Sequence, residues 1–393
     1  GAWVAIGPGT PGPVANMPRD RRRSRFHLDH PSPTWALGFA AGPYEVQSQT
    51  WTGAAGPLEI EWYRLPEHRE AFDRMASITP ALLEHHERIF GPYPFPDSRL
   101  AIVETLSSSS ANTTWIGVGS RIFAHEGQDE GEEEGHSKAE HILAHELGHA
   151  WWGHGLSVAS WRDNWLHESF ASYGGLLFLG EQEGQEAMEL AFQRMASDVS
   201  FKHRLALCSK ASECSATSIS SALWYKGPWV LRTLRSQIHN DEQWFAALRD
   251  FQKTHRFQTV TTDDLAQTLE KATGRSWDRF LQEWFASSGL PCIVGTVRIA
   301  ADQLAVDLEN RKDRVLTRNP KEEDRNFHLS LRLRWKEGGQ FQERLLALKP
   351  GDNSFVFDCN GEPTDVELVG LESILGPHEV KILPMPHSGL GRR

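Results

Sequence analysis

The stretch "AEHILAHELGHAWWGH", residues 139–154, sets four histidines and two glutamates in an otherwise apolar segment. Ionisable side chains are seldom buried without a partner. At its centre is His145-Glu146-Leu147-Gly148-His149. On a helix, residues four apart share a face, so His145 and His149 can reach one ion while Glu146 stands beside it at an adjacent angle. Zn²⁺ suits two imidazole nitrogens and a carboxylate oxygen, with a fourth position left open. Such a metal polarises a carbonyl and makes its water acidic, and Glu146 is placed to take the water proton and deliver it to a leaving amine. Five residues alone are also compatible with a polar helix face.

A third ligand decides between the two. It lies in "WRDNWLHESFASYGG", residues 161–175, where Glu168 follows His149 by nineteen positions. The stretch reads as an amphipathic helix packed by Trp161, Trp165 and Phe170, which leaves Glu168 in apolar surroundings. An ion is the simplest reason for a carboxylate there. One zinc ion held by His145, His149 and Glu168, with Glu146 as base, is therefore expected.

The rest of the chain sets bounds. Its 393 residues suggest two to three domains with ample cores. A net charge of −11 argues against a general binder of nucleic acid or anionic membrane, which wants a basic surface. The one dense basic run, "RDRRRSR" at 19–25, reads as a solvated loop. No apolar run is long enough for a transmembrane helix. The opening "GAWVAIGPGTPGP" lacks a charged n-region and an apolar h-region, so it is not a signal peptide. It reads as a strand and a Gly/Pro loop entered in mid-domain. A soluble chain without its targeting region is expected, its compartment open. The four cysteines are too few for a disulfide scaffold. Cys208 and Cys214 flank a short polar loop, as a pair or as free thiols.

Residues 1–65 alternate apolar and polar, as in "TWALGFAAGPYEVQSQTW" and "LEIEWYRL", and read as strands. From 66 the period becomes helical, with Phe72, Met75, Ile78, Leu82 and Leu83 on one face. "RLAIVET" reads as a buried strand and "TTWIGVGSRIF" as another. Residues 126–138, "EGQDEGEEEGHSK", form an acidic loop whose spacing does not match an EF-hand. Helical patterns dominate from 139 to about 287; Thr262 starts one helix and Gly274 stops it. After Cys292 the chain turns to strands, with "KEGGQ" and "KPGDN" as hairpin turns of a small β-sandwich. The expected domains are 1–65, the end of an N-terminal β domain; 66–290, the zinc domain; and 291–393, a β-sandwich with a disordered tail.

The metal motif, its spacing to Glu168 and the flanking residues resemble the gluzincin aminopeptidases of the aminopeptidase N and leukotriene-hydrolase family. "WRDNWLHESFASY" is similar to that family's W-x-D-x-W-L-N-E-G-F-A-x-Y: Asp163, Trp165, Leu166, Glu168, Phe170, Ala171 and Tyr173 match, while His167 and Ser169 replace Asn and Gly. "HAWWGHGLS" resembles H-x-W-x-G-N, with His154 in place of Asn. "RIFGPYPFPDSRLAIVE" and "TWALGFAAGPYEV" also look like family segments. The resemblance implies an α+β chain with a thermolysin-like, mainly α catalytic domain, a partial β-saddle N-terminal domain and a C-terminal β-sandwich. The first part of the saddle is expected to lie outside this chain.

Two departures bear on activity. The family holds the substrate's free amine with the Glu of a Gly-x-Met-Glu-Asn strand. The stretch here is "SSSSANTTWIGVG", 107–119, which puts Thr113 near the Glu position; Ala111, Asn112 and Thr113 are expected to line the substrate cleft. Glu104 or an acid of the 126–134 loop is an alternative anchor. The family's oxyanion donor sits in Tyr-x-Lys-Gly. Here "SALWYKG" keeps Lys226-Gly227, but Trp224 occupies the tyrosine position and Tyr225 comes one residue late, a rotation of about 100° on a helix. Tyr225 is the expected donor, and Trp224 the alternative. Asp163 is expected either to orient a zinc histidine or to cap the Glu168 helix. His141 reads as a surface or supporting residue; His154 and His167 flank the ligands and read as structural, with a hydrogen bond to a substrate or a ligand as the alternative.

Together these features predict a zinc metallopeptidase acting on peptides, an aminopeptidase by resemblance. An endopeptidase, a catalytically silent metal-binding scaffold and a zinc hydrolase of non-peptide substrates are the alternatives.

Overall fold

A computed structural model of the chain describes residues 3–106, 109–125, 138–198, 222–286, 290–312 and 327–384. The chain is α+β and separates into two compact units, Gly1–Met195 with Glu242–Gly274, and Ala196–Asp241 with Arg275–Arg393. The acidic stretch 126–137, Cys208, Cys214 and the tail 385–393 lie outside the described residues.

The first unit is built on a five-stranded sheet of β1 (Glu45–Gly53), β2 (Gly56–Arg64), β3 (Arg99–Thr105), β4 (Ser110–Asn112) and β5 (Trp115–Gly119), in the order β4-β5-β3-β2-β1. β1 and β2 form an antiparallel hairpin, β2, β3 and β5 run parallel, and β4 returns antiparallel along the edge. β3 is buried along nearly its whole length. A parallel strand covered on both faces needs no polar alternation, which is why "RLAIVET" reads as an apolar run. The short strand Val4–Ile6 pairs with Ala40–Gly42 and sends Ile6 into a core with Tyr63, Ala101, Val103 and Trp115.

Helices complete the frame. α1 (Arg69–Phe90) buries Phe72, Met75, Leu82 and Leu83 as the spacing predicts, with Ile78 only half-buried. α2 (Lys138–Gly148) and α3 (Trp165–Glu183) pack against each other so tightly that a Cβ on Gly148 would lie 2.8 Å from the Ala171 Cα. The helix Thr262–Thr273 starts and stops as read: Thr261 caps it in a reciprocal capping box with Asp264, and Gly274 closes it in the left-handed conformation. The basic run is not a loop. Arg21–Arg23 pair with Ala15–Met17 as an exposed two-stranded ribbon.

The second unit holds a π turn, Ala222–Lys226, running into the helix Gly227–Ile238, and seven strands in two sheets. The strands are β6 (Pro291–Ile299), β7 (Gln303–Lys312), β8 (Leu329–Glu337), β9 (Gln340–Leu348), β10 (Gly351–Asp358), β11 (Thr364–Val369) and β12 (His378–Pro384). One sheet has the order β10-β7-β6-β12 and the other β9-β8-β11. Trp335 of β8 and Phe357 of β10 meet between the sheets with ring centroids 6.0 Å apart. The β8–β9 turn has positive φ at both Gly338 (55°) and Gly339 (83°), the type I′ geometry that "EGGQ" signals. Cys292 and Cys359 are buried free thiols.

Candidate metal centre

The last turn of α2 delivers His145 and Glu146, and His149 opens the turn that follows. From there the chain curls on itself. The amide of His154 donates to the His149 carbonyl at 3.0 Å and that of Gly155 to the Ala150 carbonyl at 2.8 Å. Gly153, at φ +145°, supplies a conformation few L side chains adopt. The curl turns the Trp152 carbonyl back onto His149, whose Nδ1–H donates to it at 3.0 Å. On the other ligand, His145 Nδ1 meets the Ser172 hydroxyl at 3.0 Å. Both contacts fix ring orientation and turn Nε2 towards the same point.

The three ligand atoms converge there. His145 Nε2 and His149 Nε2 are 3.1 Å apart, and Glu168 Oε2 lies 3.4 Å from the first and 3.5 Å from the second. Tetrahedral zinc with ligand bonds of about 2.0–2.1 Å sets its donors about 3.3 Å apart. The triangle and the donor set therefore fit that ion. The close approach of α2 and α3 at Gly148 is what puts Glu168 in register with the histidines.

The electrostatics agree. Burial alone would raise the Glu168 carboxyl, but the His149 charge and hydrogen bonds from both imidazoles hold it well below the usual carboxylate range. Burial disfavours charge on His149, yet Glu168 and Glu146 outweigh it and raise the imidazole to about 9. The carboxylates thus favour positive charge at this point, which a divalent cation provides. Burial pushes Glu146 up, and His145, His149 and the Ala111 amide offset only part of that rise. A carboxylate tuned upward is a better proton acceptor near neutral pH.

Residues 74–284, more than half of the chain, match the peptidase family M1 domain. The chain belongs to peptidase family M1. Among curated relatives it is similar to glutamyl aminopeptidase of Bos taurus, at 25% identity over 301 residues, 71% of this chain and 30% of that protein. It is also similar to aminopeptidase A of Gloydius brevicauda, at 22% over 347 residues, 83% of this chain and 35% of that protein. The chain thus spans about a third of the length of these relatives. Among solved structures, Legionella pneumophila aminopeptidase A in complex with aspartic acid shares the fold, with a TM-score of 0.74, 18% identity and coverage of 96% of this chain and 43% of that one. The M1 family is zinc-dependent in general, and the His–His–Glu cluster here has the donors and spacing for that metal.

Of the residues expected at the substrate, Ala111 and Asn112 lie on β4 and Thr113 follows it. β4 is the exposed edge of the sheet, and the Ala111 amide donates to the Glu146 carboxylate. Asn112 turns its side chain towards Gly38, where a Cβ would lie 2.2 Å from Oδ1. Thr113 is 0% exposed; its hydroxyl meets that of Ser32 at 2.6 Å, and its amide donates to the Ala36 carbonyl at 3.0 Å. Its side chain is thus engaged within the fold. Glu104 does not replace it as an anchor. It is buried and saturated by the Leu65 amide at 2.8 Å, His68 Nδ1 at 2.6 Å and the Ser120 hydroxyl at 2.9 Å.

Asp163 holds neither ligand histidine. One oxygen takes the Thr262 amide and hydroxyl at 2.9 and 2.7 Å, and the other takes the Ser160 hydroxyl at 2.9 Å. It anchors the start of the Thr262 helix. The orienting groups are Ser172 and the Trp152 carbonyl. Ser172 follows Glu168 by four positions on α3, a signal readable in the sequence; a backbone carbonyl gives none. His154 and His167 are buried, each with an Nε2 that has no hydrogen-bond partner. Burial pushes His154 well below its ordinary value and His167 down to about 3, and the nearby His149 adds to both shifts. Tyr225 is half-buried on the π turn of the second unit, beside an exposed Trp224. A π turn winds one residue more than an α turn, so it is how a helix absorbs a single extra residue. The one-residue displacement of Tyr225 coincides with such a turn.

Proposed function

We propose that the chain is the catalytic part of a zinc-dependent aminopeptidase that hydrolyses peptide bonds. The observation that carries this is Glu146, which is not a ligand. It stands beside the His145–His149–Glu168 triangle with its carboxylate under the Ala111 amide of an edge strand. A zinc ion held by the three ligands supplies a Lewis acid and acidifies water. A peptide laid along the edge of β4 finds backbone groups to pair with. Glu146 accepts the proton of the attacking water at its carboxylate and passes it to the departing amine nitrogen. Tyr225 is proposed as the donor to the developing oxyanion, on the strength of its place before Lys226-Gly227. The relatives named for aminopeptidase activity support the exopeptidase reading.

One observation favours a second reading, an endopeptidase of the same mechanism. A free ammonium needs an anionic partner, and the position aligned with the family's amine-binding Glu holds a buried, hydrogen-bonded threonine, Thr113. Hydrolysis of aminoacyl amides against N-blocked, internally quenched peptides separates the two. The aminopeptidase reading expects turnover of the free-amine substrates. Turnover of blocked peptides alone overturns it.

A further inference from the structure

The 3₁₀ turn Thr34–Ala36 carries Trp35, which is 57% exposed although it sits close to the metal ligands. Its place is fixed from two sides. On one, the Ala36 carbonyl accepts from the Thr113 amide at 3.0 Å and the Gly38 carbonyl from the Trp115 indole at 3.3 Å. These bonds lash the segment to the β4–β5 turn, two residues from the Ala111 amide that touches Glu146. On the other, the indole packs over His154 and His167, with ring centroids 5.4 and 5.7 Å away. His154 in turn stands 6.5 Å from the ligand His149, and His167 directly precedes the ligand Glu168. Gly153 lies beside the indole edge, where a Cβ would be in ordinary contact with Trp35 Cη2 at 3.6 Å.

Trp35 therefore bridges the end of the substrate strand and the ligand-bearing segments, and keeps more than half its surface open. The two imidazoles beneath it are 2% and 3% exposed, and neither Nε2 has a partner. Buried nitrogens of this kind call for a hydrogen-bond partner, such as water or a ligand. An open indole face backed by rigid rings is a stacking platform.

We propose that Trp35, held by His154 and His167, is the specificity wall for a substrate residue flanking the scissile bond, and that it selects an aromatic side chain. The inference rests on the peptidase reading for the name of its ligand, but its test does not require turnover. Zinc-loaded Glu146→Gln protein is titrated by calorimetry with phenylalaninamide and with alaninamide. Phenylalaninamide binds about fivefold tighter or more. Adding Trp35→Ala brings the two affinities to within about twofold, and Trp35→Phe keeps most of the preference, a rescue that loss of packing alone does not give. The thermal midpoint reports whether each variant is folded. Equal affinities in the Glu146→Gln parent, or a preference that survives Trp35→Ala, overturn the proposal. Absence of turnover in the protein with Glu146 intact overturns the peptidase reading instead, and leaves the binding ratio to decide the wall.

Discussion

Gly148 lies against Ala171 so closely that a Cβ would fall 2.8 Å from the Ala171 Cα and 3.2 Å from its carbonyl oxygen. Both neighbours include backbone, so neither yields cheaply. This contact sets the spacing of α2 and α3 and with it the His–His–Glu triangle. Gly148→Ala is expected to cost about 1–3 kcal/mol of stability through overpacking. Zinc affinity is expected to fall by about tenfold or more, because Glu168 moves away from the histidines. Chemical denaturation and chelator competition measure the two effects.

Ser172 is the only side chain bonded to His145 Nδ1 among the described residues. Ser172→Ala frees the imidazole to rotate. Zinc affinity should drop by about 10–100-fold with a small change in stability. Competition with a chromophoric chelator reads the first and a thermal scan the second. An unchanged affinity contradicts the orienting role.

His86 of α1 is wholly buried, stacked on Trp151 with ring centroids 5.3 Å apart, and its Nδ1–H donates to the Leu82 carbonyl at 2.9 Å. Burial, helped by the neighbouring His85, lowers its pKa from 6.5 to about 3. The folded chain thus binds this proton more weakly than the unfolded chain. The contribution is fully present above pH 6.5 and is lost as pH falls from there towards 3, with a slope of about 1.4 kcal/mol per pH unit. Denaturant titrations at a series of pH values should show an acid limb that becomes shallower by one proton in His86→Leu.

The proposed role of Tyr225 separates from that of Trp224 by kinetics. Tyr225→Phe should lower kcat by about 10²–10³-fold with KM little changed, because an oxyanion donor acts mainly in the transition state. Trp224→Phe should keep kcat within about threefold. The reverse pattern assigns the donor to Trp224.

The metal centre was legible because a helix forces residues four apart onto one face and because a carboxylate in apolar surroundings asks for a partner. Those rules name His145, His149, Glu146 and Glu168 without coordinates. They are weaker at Asp163, where a buried acid near a ligand has several satisfying partners and the one chosen, Thr262, is 99 residues away. They cannot reach the Trp152 carbonyl, since backbone groups carry no sequence mark. Thr113 reads as a substrate residue from its place beside the strand, but the bond that engages its hydroxyl with Ser32 joins residues 81 apart. Trp35 escaped for the same reason: its meaning comes from its neighbours in space. Local rules likewise placed the sandwich turns, because positive φ at Gly338 and Gly339 is a property of those residues alone.

The central claim is that metal-dependent hydrolysis runs through Glu146. Its most direct test measures bound zinc and peptide hydrolysis in the unaltered protein and in Glu146→Gln. The account predicts one zinc per chain in both, hydrolysis by the first, and a rate about 10²–10⁴-fold lower in the second. Zinc without hydrolysis in the unaltered protein, or equal rates in the two, contradicts it.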